Sequence, residues 1–225
     1  RGIGKAVAKA FAKEGWDLLL VCRNQDSTNN LFQELDAIGN KYFCSFIDLS
    51  DPAQIAPGIK ELLGKGLYPS VLINNAGVAW NGDMVSMPLN DWQWLMQVNL
   101  TSVFQICSEV VPGMRDKGGL VINISSHAAR NSFPQWGAYC VSKAALESFT
   151  KCLAEEERSN SIRACTLTLG SVNSSLWDRE TVHSEFDRNA MLSEDQVASQ
   201  LLHLAKQPSN QVIEDLTLMP STGAF

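Results

Sequence analysis

The chain has 225 residues, enough to bury one sizeable core, and nothing in it reads as a linker between two. With 45% hydrophobic and 19% charged residues it has the composition of an ordinary globular domain, with no repeat and no low-complexity tract. A formal net charge of −6 argues against nucleic acid or an anionic membrane as the main partner, and no apolar run approaches the roughly 20 residues that span a bilayer.

Short aliphatic runs alternate with longer segments of helical period. Strands are expected at 17–22 (DLLLVC), 42–47 (YFCSFI), 70–74 (SVLIN), 120–125 (LVINIS), 163–169 (RACTLTL) and 212–218 (VIEDLTL). Several are apolar on both faces, as buried parallel strands must be. Helices are expected at 4–14, 29–38, 52–64, 89–117, 138–158 and 194–206, with Pro52 and Pro88 as start signals. This alternation predicts an α/β fold, a doubly wound Rossmann-type parallel sheet, as one domain over 1–225. Between 173 and 193 the pattern lapses into a polar loop holding Trp177 and Phe186, just after a strand, where α/β proteins keep ligands. Cys22, Cys44, Cys107, Cys140, Cys152 and Cys165 form no C-x-x-C pair and read as reduced, mostly buried thiols of a cytoplasmic protein.

Two features carry chemistry. Gly2 and Gly4 open the first helix, as in a turn that lets a dinucleotide pyrophosphate approach a helix N-terminus, although two glycines before a helix also suit a plain turn. Tyr139 and Lys143 stand four apart on an expected helix and so share a face. A phenol with a free pKa of about 10 needs a nearby cation to serve as acid and base near neutrality, and Lys143 is expected to lower it. Standing alone, the same spacing fits a surface helix pair.

The ordered set NNAG at Asn74–Gly77, VNL at Val98–Leu100, NISS at Asn123–Ser126 and YCVSK at Tyr139–Lys143 resembles the short-chain dehydrogenase/reductase family over nearly the whole chain. The resemblance implies that Tyr139 is the general acid/base, that Lys143 supports it and holds the nicotinamide ribose, and that Ser126 binds the substrate oxygen. It implies that Asn99 holds a water of the proton relay. Ser125 is the confounder of Ser126; Ala129 replaces the commoner glycine after it. The family's opening motif, Thr-Gly-x-x-x-Gly-x-Gly, follows a central strand, and only Arg1, Gly2, Ile3 and Gly4 match it. An N-terminal segment of order ten or more residues is therefore expected to be missing, and the chain as it stands is expected to fold poorly alone.

For the cofactor, the resemblance implies contacts from Asp48 and Leu49 at the adenine and from Asn74, Asn75, Ala76 and Gly77 after the third expected strand. Gly170, Val172 and Ser174 would hold the carboxamide end, with Leu169 in place of the family's proline. Asp48 could also merely start the turn before Pro52, and the two readings can hold together. Where NAD enzymes end the second strand in an acid, this chain has Cys22 followed by Arg23, and Arg1 lies in the glycine-rich turn. Two arginines without an opposing acid point to NADP(H), with NAD(H) possible; both could instead be solvated surface charges.

His127, Phe133, Trp136 and Trp177, with Trp80 as a further candidate, are expected to face a small-molecule carbonyl or alcohol substrate; plain packing is the other reading of these aromatics. A homodimer or homotetramer is expected through the long helices and the C-terminal tail, and Val98, Ile106, Val110, Leu146, Phe149 and Leu153 could serve core or interface. Resemblance to 3-oxoacyl carrier-protein reductases is general: an acidic chain suits an acidic carrier poorly, and 176–188 offers only Arg179 and Arg188 as basic residues. Two other functions remain open, a catalytically silent NADP-binding regulator and a structural subunit.

Overall fold

A computed structural model of the chain describes residues 1–25, 28–178, 180–182 and 187–223. Arg179 and Phe186 lie outside the described residues. The elements run α1 (Gly2–Lys13), β1 (Leu18–Cys22), α2 (Asn29–Ile38), β2 (Tyr42–Phe46), α3 (Pro52–Leu63), β3 (Val71–Asn74), α4 (Leu89–Met96), α5 (Ser102–Met114), β4 (Gly119–Ser126), α6 (Gly137–Glu157), β5 (Ile162–Leu169), α7 (Glu194–Ala205) and β6 (Asp215–Leu218).

All strand pairs are parallel, as the two-sided apolar runs predict. They form two sheets, β1-β2 and β3-β4-β5-β6. Among the described residues β1 pairs only with β2 and β3 only with β4, so each keeps one edge whose N–H and C=O groups could take a further strand.

The period of two along β4 sorts the helices into layers. Leu120, Ile122 and Ile124 pack with Phe11 of α1 and Val197 and Leu201 of α7. Val121, one residue out of phase, packs with Ile55 of α3, Ile106 of α5 and Leu146 of α6 on the opposite face. Ile106, Val110 and Leu146 are therefore buried in this chain's own core, with Phe149 and Leu153 half-buried against it, and Val98 is buried in a second cluster with Val78 and Leu95.

The same face of β4 carries polar side chains that are fully paired. Asn74 donates to Asn123 (2.8 Å), Asn123 donates to Thr150 (2.8 Å), and the Thr150 hydroxyl donates to the Leu146 carbonyl (2.7 Å). Glu147 of α6 accepts from Ser125 of β4, Thr168 of β5 and Arg130, each at 3.1 Å, and Arg130 continues to Asp215 of β6. One carboxylate thus ties α6 to two strands directly and, through Arg130, to a third. Glu147→Ala leaves buried donors without their acceptor and is expected to cost about 3 kcal/mol, read as a lower urea midpoint with unchanged m.

Two expectations are corrected. The helix expected over 89–117 is broken at Gln97–Thr101, a single π turn between α4 and α5. Asn99 lies in that turn with its side chain fully buried, and its amide is taken up by backbone outside the helix. The last strand, Asp215–Leu218, is shorter than 212–218, and in the loop before it Arg163 donates to the carbonyls of Pro208 and Gln211 (3.0 and 2.9 Å).

Candidate active site

The C-terminal ends of β1, β2, β4 and β5, the start of α1 and the loops after β3 and β5 enclose a cleft of about 830 Å³. β4 delivers Ser126 into it, and the first turns of α6 deliver Tyr139 and, one turn on, Lys143. The ambiguity between the two serines resolves through the strand's alternation. Both reach the cleft lining, but Ser125 is buried with its hydroxyl committed to Glu147, whereas the half-buried Ser126 accepts from the Ala128 N–H at 3.2 Å and is left open to the cleft.

The Tyr139 ring meets Trp136 edge to face at 5.6 Å. Lys143 is buried, donates to the Ile124 carbonyl at 2.8 Å, and its Nζ lies 5.9 Å from the centre of the Tyr139 ring. Burial pushes the Tyr139 phenol up to about 12, offset in part by Ser126, and holds the Lys143 ammonium down at about 8. The expectation that Lys143 draws Tyr139 toward neutrality is thus not met here. Both groups are desolvated, and the ammonium is engaged with a main-chain carbonyl.

Asn99 does not line the cleft. It stands behind it, where its amide accepts from the Val78 N–H and donates to the Val78 carbonyl, both at 2.8 Å, and donates to Ser142 at 3.0 Å. Ser142 in turn donates to the Tyr139 carbonyl at 2.8 Å, so Asn99 fixes the loop after β3 against the helix turn bearing Tyr139. A Cβ on Gly77 would sit 3.5 Å from Asn99 Oδ1 and 3.6 Å from Lys143 Nζ, which puts this glycine beside both.

The other end of the cleft is lined by Arg1, Gly2, Ile3 and Gly4, by Arg23 at the end of β1, and by Asp48 and Leu49 after β2. Gly2 has φ +62, a conformation glycine adopts without cost, and a Cβ on Gly4 would press to 3.0 Å from the Asn75 amide. Asp48 accepts from the Ser50 N–H (2.9 Å) and hydroxyl (2.7 Å), which with Arg23 keep its carboxyl below the usual range against its partial burial. Asp48 also starts the turn before Pro52, its carbonyl accepting from the Asp51 N–H at 3.0 Å, and Asp51 then caps α3. Cys22 also lines the cleft and interacts with Cys44 of the neighbouring strand, which lowers the Cys22 thiol and raises that of Cys44.

Asn75, Ala76 and Gly77 line the middle; Asn74 does not, its amide being committed to Asn123. Gly170, Val172 and Ser174 line the far side, where a Cβ on Gly170 would fall 2.6 Å from Pro220. His127, Phe133, Trp136 and Trp177 all reach the cleft. Trp80 does not, packing instead in a cluster with Val78 and Leu95, while Trp94 does and carried no sequence signal beyond its size.

The short chain dehydrogenase family matches residues 1–184. The chain belongs to that family. An uncharacterized oxidoreductase of Mycobacterium bovis is 32% identical over 194 residues, which are 82% of this chain and 56% of that protein; the chain spans little over half of that relative's length. The 3-oxoacyl-[acyl-carrier-protein] reductase of Thermotoga maritima is 28% identical over 218 residues, covering 94% of this chain and 89% of its own. A metagenomic short-chain oxidoreductase solved in complex with NADP superposes with a TM-score of 0.85 at 29% identity, covering 98% of this chain and 93% of that one. The Rossmann-type α/β fold, helices layered about parallel sheets, is thus the one expected from sequence. No helix among the described residues is long and apolar enough to cross a membrane.

Proposed function

We propose that the chain is an NADP-dependent oxidoreductase that interconverts a carbonyl compound and its alcohol. The observation that supports this most directly is the convergence of Ser126, Tyr139 and Lys143 on one cleft, beside Gly77 and backed by Asn99. The residues present suit a dinucleotide. The cleft is large enough for one, Gly2 and Gly4 open it at a helix N-terminus, and the Ser171 hydroxyl that lines it is buried with no hydrogen-bond partner among the described residues, an acceptor and donor awaiting a polar ligand.

Arg1, Arg23, Asp48 and Leu49 would hold the adenosine end, Asn75, Ala76 and Gly77 the middle, and Lys143, Gly170, Val172 and Ser174 the nicotinamide end. When bound, the cofactor supplies or accepts a hydride. Ser126 donates to the carbonyl oxygen and orients it. Tyr139, neutral because burial raises it, carries the proton that this oxygen takes up on reduction. Lys143 places a cation beside the phenolate left behind, and Asn99 holds the Tyr139 turn in register. Phe104 on α5 and Val141 on α6 are exposed hydrophobics, which supports assembly of copies through those helices.

NADPH is preferred because no carboxylate stands at the end of β1, where Cys22 and Arg23 line the cleft with Arg1. Cys22→Asp sets a carboxylate against the 2′-phosphate. It is expected to weaken NADPH binding by about tenfold or more and to leave NADH binding equal or improved, read by calorimetric titration of each.

The function is tested by following NADPH oxidation with ketones, quinones and 3-oxoacyl thioesters, beside Tyr139→Phe. Turnover that the variant loses upholds it. NADPH binding with no turnover would mean a silent regulator, and no NADPH binding a structural subunit.

A further inference from the structure

Two unfavourable local choices stand side by side at the start of α6. Gln135 has φ +67, in the left-handed region that favours glycine, and Trp136 occupies the N-cap with no side-chain cap bond where serine, threonine or aspartate would make one. Such departures persist where something else is gained. What is gained is a run of rings: Trp136 packs edge to face on Tyr139 at 5.6 Å and on Trp177 at 5.8 Å, all three lining the cleft.

The run is held from outside. Trp177 Nε1 donates to the Val172 carbonyl (2.8 Å), and Asn81 N donates to the Thr181 carbonyl (2.9 Å). The Thr181 hydroxyl donates to the Ala79 carbonyl (2.8 Å), and Gly82 N donates to the Gln135 carbonyl (3.0 Å). The three loops after β3, β4 and β5 are thereby tied together, so the rings form a pre-built wall rather than one assembled on binding.

Charge is missing from this wall. Where 124–139 and 169–177 line the cleft, the described residues include no arginine, lysine or carboxylate. The nearby ammonium of Lys143 is bonded to the Ile124 carbonyl. Among the described residues of this wall a carboxylate or phosphate on the substrate would find only the His127 imidazole, whereas a flat π-system finds two indole faces and edges.

We propose that Trp136 and Trp177 seat the planar, uncharged aromatic body of an aryl ketone with its carbonyl turned to Ser126 and Tyr139. This rests on the carbonyl-reductase reading. The carbonyl carbon gains the hydride of NADPH and the oxygen gains the Tyr139 proton, giving the secondary alcohol and NADP⁺.

The test compares acetophenone, cyclohexyl methyl ketone and benzoylformate, which separate ring planarity from bulk and from charge. Acetophenone is expected to exceed both others in kcat/KM by at least about tenfold, a preference that Trp136→Leu and Trp177→Leu collapse and Trp136→Phe largely keeps. Calorimetric titration of acetophenone into the NADP⁺ complex of Tyr139→Phe reads the seat without turnover. Equal or better use of the saturated ketone or the carboxylate overturns the proposal and leaves the reductase reading intact. Acetophenone binding without turnover in the parent chain upholds the seat and removes the reductase reading; neither binding nor turnover of acetophenone overturns the seat.

Discussion

Tyr139→Phe is expected to lower ketone reduction by about a thousandfold while leaving NADPH affinity within about twofold. The substitution deletes one oxygen from a ring held on its edge by Trp136, so packing survives and the lost group is the proton donor. Burial pushes the phenol up to about 12, and Ser126 offsets only part of this. At neutral pH the hydroxyl is therefore fully protonated and ready to give its proton to a carbonyl oxygen. The reverse reaction needs the phenolate, so alcohol oxidation should climb with pH through the range in which reduction stays flat. Initial rates in both directions across about pH 5.5–7.5, where Tyr139 keeps its proton and Lys143 its charge, check this. Equal pH profiles in the two directions, or a Tyr139→Phe rate close to that of the parent, would remove Tyr139 from the proton's path.

The strands were legible because each is a short apolar run, and the cleft because its residues come in ordered clusters near strand ends. What escaped the sequence is what depends on partners far along the chain. The π turn at Asn99 exists because its amide is bonded to Val78, 21 residues away, and to Ser142, 43 away. Glu147 carries no signal in the sequence, yet it is buried, held by Ser125 of β4, Thr168 of β5 and Arg130 of the loop after β4. Asn74 and Trp80 sit one and three residues from Asn75 and Gly77, but strand alternation turns Asn74 onto Asn123, and Trp80 packs with Val78 and Leu95. The direction of the Tyr139 shift was also out of reach, because spacing gives the distance to Lys143 but not the desolvation of both groups. Local pattern fixes which residues approach a site; burial decides what each does there.

Lys143→Met is expected to make the chain more stable at neutral pH and nearly inactive. Folding takes the ammonium out of water, where burial holds it down at about 8 against roughly 10.4 in an unfolded chain. The sign follows from proton counting: between those values the unfolded state binds a proton that the folded state has released, so stability rises with pH across that window. Below it the charged group is carried at a cost of about 3 kcal/mol. Methionine removes that cost and gives up the bond to the Ile124 carbonyl, worth about 1 kcal/mol, for a net gain of about 2 kcal/mol and a Tm higher by about 4–8 °C at pH 7. Near pH 11, where Lys143 is neutral in both states, only the lost hydrogen bond remains and the variant should be slightly the less stable, about 1 kcal/mol. Turnover should fall about a hundredfold or more, since no cation is left beside the Tyr139 phenolate. Thermal melts at the two pH values decide it: a gain of the same size at both would mean that packing and not charge sets the effect, whereas a gain confined to neutral pH identifies a lysine kept at a stability cost for the proton chemistry of Tyr139.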